Sequence, residues 1–372
     1  MNNFEDYLLA LLGKVAEWKA SDLYLTTGAA PSVRVQGVYH RLGERKLQAG
    51  QTRGLAYQMI SADQIATFER EKELNFAYWA KEVGRFRISL YQQRGEVAIV
   101  ARFITAEVPR LNQLGLPKSI EAFSLLQRGL VLVVGATGSG KSTTLAAMVD
   151  HRARIKTGHI LMLEDPIEYL MTHRKSTIDQ REIGVDTLSY AHGLHSAMRQ
   201  APDMIVLGEI RDAETMRLAL AYAETGHVCL ATLHANNANQ AVKRVVNFFP
   251  DSAHPQVLQD LALNLAGVVS QRLLPGLNDR QVLATEVMTQ SGLVSDLIAK
   301  GAINELKAAM GRGDAAGMQT FDQCLMQLVQ QNLLSADVAL DNADSRTDFG
   351  LKLRLAKGAE TRSTEPASPR LS

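Results

Sequence analysis

Gly135-Ala136-Thr137-Gly138-Ser139-Gly140-Lys141-Ser142 fits the pattern G-x-x-x-x-G-K-[ST], with Thr143 following at once. Glycines let main-chain N–H groups wrap a phosphate with no Cβ in the way, and a helix N-terminus favours the anionic charge. Lys141 has the reach for β- and γ-phosphates, and the Ser142 hydroxyl can ligate Mg²⁺. The context supports the motif. It follows an apolar run, Leu130–Val134, that reads as a buried strand, and it opens a helix beginning near Ser142. These residues predict a nucleoside triphosphate site.

Hydrolysis at such a site needs one carboxylate to align a water and another near the metal. Glu164-Asp165-Pro166-Ile167-Glu168 follows the apolar run His159–Leu163, and Gly208-Glu209-Ile210-Arg211-Asp212 follows Met204–Leu207. Both sit where open α/β sheets bind ligands, beyond the strand ends. His227 and His234 bracket the next apolar run, and a neutral histidine beside a γ-phosphate can donate a hydrogen bond that reports nucleotide state. Zinc is a poor fit, because His227, Cys229 and His234 lack close-spaced paired ligands.

The elements that must position these residues fall into two halves. Phe4, Leu8, Leu11, Leu12, Val15 and Trp18 recur at helical spacing and predict one buried face. A period of two then marks strands: Val33 and Val35 alternate with Arg34 and Gln36, and Phe86, Ile88 and Leu90 alternate with Arg85, Arg87 and Ser89. Helical patterns over 51–61 and 62–72 complete an α+β unit with an antiparallel sheet, assigned to 1–107. Residues 108–117 lose periodicity and read as a linker. The second half, 118–344, which holds the phosphate loop, carries short apolar runs typical of a parallel sheet covered on both faces. One of its helices starts at Asp212 and stops at Gly226, and the chain reads mostly helical after Asp251. Residues 345–372 are polar and predict a disordered tail.

Composition removes other classes. Lys+Arg numbers 40 and Asp+Glu 39, a net charge of +1, which gives no support to nucleic-acid binding by bulk charge; nor is there an aromatic-plus-basic strand motif. No apolar stretch reaches the ~18–20 residues a membrane helix needs. Glu5 and Asp6 precede the first apolar run, unlike a signal peptide, and two cysteines, Cys229 and Cys324, make no disulfide framework. A cytoplasmic location is expected.

The order of phosphate loop, EDPIE, GEIRD and TGH…TLH resembles the secretion ATPase superfamily, where these segments look like the Walker A, Asp box, Walker B and His box. Ala20-Ser-Asp-Leu-Tyr-Leu, Arg85-Phe-Arg-Ile-Ser-Leu-Tyr-Gln-Gln-Arg94 and Ala223-Glu-Thr-Gly-His227 narrow the resemblance to the type IV pilus retraction ATPases. Leu293-Val-Ser-Asp-Leu-Ile-Ala-Lys300 departs from the AIRNLIRE-like signature of the PilT branch at Asp296, Ala299 and Lys300, and together with LATLHANNANQAVKRVVNFFP favours the PilU branch. The resemblance implies a PAS-like N-terminal domain, a RecA-like core and a homohexameric ring, with nucleotide between the two domains. It implies Glu164 as catalytic base or water-positioner, Glu209 as support for Mg²⁺, and Arg87, Arg94 and Arg102 as the candidates for the cation that reaches the γ-phosphate, with the choice among them open. It further implies Mg²⁺-dependent ATP hydrolysis powering pilus retraction at the inner-membrane base of the pilus, alongside a PilT-type ATPase and the platform protein. A coupling subunit whose own hydrolysis is dispensable, or a PilT-type primary motor, are the alternatives.

Overall fold

The computed structural model describes residues 3–104, 107–277, 280–313 and 317–363. The chain divides into two units: 1–107 with 167–170, and 108–166 with 171–372.

In the first unit, α1 (Asn3–Glu17) precedes β1 (Asp22–Thr26), β2 (Ser32–Val35) and β3 (Val38–Arg41). Then come α2 (Gln51–Tyr57), α3 (Ala62–Glu71), β4 (Glu73–Ala80), β5 (Gly84–Gln93) and β6 (Glu96–Ile104). The strands form one sheet in the order β3-β2-β1-β6-β5-β4, antiparallel at every pairing. Ser61 caps α3 by accepting the Gln64 N–H, while the Gln64 side chain accepts the Ser61 N–H, so two orphan donors are satisfied at once. Phe86, Ile88 and Leu90 of β5 point into the core with Leu8, Leu11, Leu12 and Val15 of α1. Phe4 and Trp18 depart from the expected face, at 40% and 41% exposed. Trp18 lies past the last helical residue, and the Phe4 ring covers Gly54 of α2, 3.1 Å from where a Cβ would stand.

The second unit holds β7 (Gly129–Gly135), β8 (Gly158–Glu164), β9 (Ser176–Glu182), β10 (Met204–Leu207), β11 (Val228–Leu233), β12 (Leu265–Pro275) and β13 (Gln281–Thr289). Their order is β13-β12-β7-β11-β10-β8-β9, parallel except for β13 against β12. Its helices are α4 (Ser119–Ser124), α5 (Lys141–Ile155), α6 (Tyr190–Ala197), α7 (Ala213–Glu224), α8 (Ala238–Asn247), α9 (His254–Asn264), α10 (Gly292–Ala299), α11 (Leu306–Arg312), α12 (Phe321–Gln330), α13 (Ala336–Asn342) and α14 (Arg346–Ser363). The strand period of two sends Leu130, Leu132 and Val134 into one core with α7 to α9, and Val131 and Val133 into the other with α5. No helix among the described residues is long and apolar enough to cross a membrane.

Two expectations are corrected here and a third is refined. After Asp251 the chain is mostly helical as expected, but β12 and β13 interrupt the helices and extend the sheet; β12 satisfies the exposed edge of β7 and buries most of both its faces there. The segment 108–117 is no free linker: Leu111 is buried in the second unit's core, and Val108, Leu114 and Leu116 pack against that core. Residues 346–363 form a helix rather than a disordered tail, since Phe349 and Leu353 complete a small core with Phe321, Leu325 and Leu334. The rest of that expected tail, 364–372, lies outside the described residues.

Glu286 of β13 is 1% exposed and sits at the start of α8, accepting the Ala238 N–H at 2.8 Å and the Ser270 hydroxyl at 3.3 Å. Burial pushes its carboxyl up to about 7, with Asp344 pushing the same way and Lys307 opposing. A carboxyl that holds its proton more tightly folded than unfolded stabilises the fold at low pH. That stability is lost as pH rises from its ordinary range through about 7. The loss amounts to ~3 kcal/mol at ~1.4 kcal/mol per unit. Glu286→Gln is therefore expected to flatten the fall in thermal midpoint between pH 5 and 8, and an unchanged slope in calorimetry would refute the assignment.

Candidate functional site

Parallel pairing brings the strand ends into register: Leu163 lies beside Leu207, Leu207 beside Ala231, and Leu233 beside Val134. The residues that follow therefore share one edge of the sheet. These are the glycine-rich loop after β7, Glu164 at the end of β8, Glu209 just past β10, and His234 just past β11. This is the carboxyl edge on which ligands of such sheets bind.

The loop from Gly135 to Gly140 delivers the chain into α5, with Gly140 as its left-handed N-cap at φ 90° and no side chain capping the helix. Its first N–H groups are left for a ligand. A Cβ on Gly135 would strike Ser139 Oγ and stand 2.6 Å from the Gln271 carbonyl, so this turn closes only with glycine. Ser139 Oγ is buried with no hydrogen-bond partner, and Ala136, Thr137, Gly138 and Ser142 face solvent while Thr143 is half-buried. Lys141 Nζ donates to the carbonyls of Gly135 at 3.1 Å and Ala136 at 2.9 Å. Burial lowers its pKa and the nearby Glu209 carboxylate opposes that shift. A glycine-walled cradle, an orphaned hydroxyl and a half-buried ammonium together fit a phosphate chain. Hard oxygen donors at Ser142 and Glu209 suit Mg²⁺, which takes few protein ligands and completes its shell with phosphates and water. Among the described residues no group of three or more His, Cys, Asp or Glu side chains is placed to hold a metal ion.

Glu209 is bonded from two directions. Arg211 reaches one of its oxygens at 2.9 Å, and His234 Nε2 lies 3.2 Å from the other. Arg211 also approaches Asp165 at 3.4 Å, and its bond to Glu209 raises the guanidinium pKa. Glu164 is 9% exposed and accepts the Gln180 Nε2 amide at 2.8 Å. Tyr190 of α6 is packed over Gly208, where an added Cβ would meet its hydroxyl at 2.9 Å and the Glu164 Cα at 3.2 Å. Burial raises the phenol pKa, so the group stays neutral.

His227 is not brought to this edge. It precedes Val228, which pairs with Gly129 at the start of β7, so the six-residue length of β11 separates it from His234. Its ring stacks on Tyr222 at 4.6 Å and its Nδ1 lies 3.1 Å from the Thr225 hydroxyl, contacts that terminate α7.

In the first unit, Arg87 and Arg102 are cross-strand neighbours on β5 and β6. Arg102 donates to the buried Asp22 at 2.7 Å, which raises its own pKa, and Arg87 pairs with Glu168 at 3.1 Å. Arg94 is exposed in the β5–β6 turn, seven residues along from Arg87, or ~23 Å of strand. The structure thus groups two of the three arginines and leaves the third apart.

Four site residues escape the motif reading. Arg211 lies within a motif already singled out, and its spacing of two from Glu209 was the available signal. Gln180, Tyr190 and Gln271 carried none. Gln271 donates to Thr144 at 2.7 Å and backs the loop from β12, a strand whose sequence reads as helix.

Comparison with known proteins accords with this geometry. Residues 3–349 match the family described as Type II/IV secretion system protein. The chain is 45% identical over 353 residues to the type IV pilus ATPase PilU of Pseudomonas aeruginosa, spanning 94% of this chain and 92% of that one. It is 39% identical to the type IV pilus retraction ATPase PilT of the same organism, over 91% and 98% of the two chains. The crystal structure of the pilus retraction motor PilT with bound ADP superposes with a TM-score of 0.86 at 38% identity, covering 91% of this chain and 98% of that one.

Proposed function

The chain belongs to the Type II/IV secretion system protein family, and on that premise we propose that it is a PilU-type ATPase powering type IV pilus retraction. The observation that carries this reading is the assembly of phosphate loop, Glu164 and Glu209 on one sheet edge, in a chain that matches PilU along 94% of its length.

Each residue has a part in that chemistry. The loop N–H groups and Lys141 bind and orient the phosphates. Glu164 takes up the role of positioning the attacking water and accepting its proton. Glu209, oriented by Arg211 and His234, supports a magnesium ion held with Ser142. When bound, that ion neutralises charge on the phosphate oxygens. Arg87 and Arg102 are the cations assigned to the γ-phosphate, because strand pairing already sets them side by side; Arg94 is outside that pair. His227 serves the end of α7 rather than the reaction.

In the cell the protein is placed in the cytoplasm against the inner-membrane base of the pilus, as a homohexameric ring. There it works with a PilT-type ATPase and the platform protein, closing on ATP and loosening on hydrolysis. Nucleic acid has no part. Deleting the gene from a piliated host tests the reading: twitching is expected to fall and surface pili to accumulate, with both reversed by the intact chain. Unaltered twitching and pilus number would overturn it.

A further inference from the structure

We infer that Gln180 is the positioning residue for Glu164, an assignment that rests on Glu164 being the water-activating group. Gln180 lies on β9 opposite Met162, two residues before Glu164 on β8, so the two side chains rise from the same sheet face. Its amide is held at both ends. The Oε1 accepts the Met171 N–H at 2.8 Å, and the Nε2 donates to Glu164 Oε1 at 2.8 Å. Rotating the amide by half a turn would set a donor against the Met171 N–H and an acceptor against the carboxylate, so the main chain dictates which end faces Glu164.

That arrangement matters because Glu164 is almost wholly buried. A carboxylate on the last residue of a strand retains freedom about its side-chain torsions, and a water-activating group must hold its oxygen within a fraction of an ångström of the productive position. Glu209 has a guanidinium and an imidazole to hold it, and Glu164 has the Gln180 amide, itself anchored to backbone. The Gln180 amide bridges Met171 and Glu164, so it acts through Glu164. Its loss should therefore slow the chemical step and leave nucleotide binding alone.

The test is a comparison of Gln180→Leu, Glu164→Gln and the double variant in the full-length protein. Phosphate release is read alongside binding of a fluorescent ADP analogue and the thermal midpoint. Gln180→Leu is expected to lower kcat by up to ~100-fold with KM for ATP and ADP affinity within ~2-fold of the parent. The double variant should be no slower than Glu164→Gln alone, because no proton-accepting carboxylate would remain for the amide to position. If Gln180→Leu loses its thermal transition, Gln180→Met takes its place as an unbranched substitute of similar length. An unchanged kcat, a loss carried equally in nucleotide affinity, or losses that multiply in the double variant would overturn the inference. If instead Glu164→Gln alone turns over normally, the premise about Glu164 has failed, and the two failures are told apart by that single variant.

Discussion

Lys141→Ala is expected to reduce ATP turnover by at least ~100-fold, the effect of removing one preorganised cation from a phosphoryl-transfer site. The Nζ group bonds two loop carbonyls, at 3.1 and 2.9 Å, and is half-buried, so it has already lost much of its hydration. Exchanging those neutral carbonyls for charged phosphate oxygens gains a charge-assisted bond worth ~1.5–3 kcal/mol. Nucleotide affinity should accordingly fall ~10–100-fold. The thermal transition should persist, because Lys141 contributes no side chain to the buried cores. Phosphate release and fluorescent-nucleotide titration of the same folded sample check both numbers. Undiminished turnover would remove the phosphate loop from the mechanism, and with it the motor.

Glu164→Gln separates binding from chemistry. The substitution keeps the shape and an oxygen that can still accept from Gln180, and removes the charge that takes up a proton. General-base loss costs ~10²–10⁴-fold, so a fall in kcat of at least ~100-fold is expected with nucleotide affinity changed only a few-fold. Single-turnover quench measurements should show ATP bound and uncleaved. A parallel drop in affinity would instead place Glu164 in binding. The same variant decides between a working motor and a coupling subunit. Introduced into a host lacking its own copy, it is expected to leave twitching unrestored; full restoration would mean that the protein transmits force without spending its own ATP.

The chemistry-bearing text was readable because its determinants are local. Gly135 to Ser142 announces a phosphate loop by composition alone, and the apolar runs before Glu164 and Glu209 identify buried parallel strands whatever else the chain does. The alternation of Phe86, Ile88 and Leu90 marks β5 in the same way, since the pleat forces a period of two on any half-buried strand. Local signals failed where a partner elsewhere decides the outcome. β12 and β13 became strands because the free edge of β7 was there to pair with. The helix over Arg346–Ser363 formed because Phe349 and Leu353 met a small core more than a dozen residues upstream.

His227 and Arg94 show the same limit among the candidate residues. His227 and His234 bracket one apolar run, and because a strand advances ~3.3 Å per residue its two ends lie at opposite edges of the sheet, so only His234 joins Glu209. Arg94 shares a strand text with Arg87 but sits in the turn at its far end. Residue types and spacing, then, determined that this protein handles a triphosphate and which segments take part. Only the tertiary structure decided which side chains stand together, and that a glutamine on an edge strand grips Glu164, because hydrogen-bond partners are chosen by sheet register and not by distance along the chain.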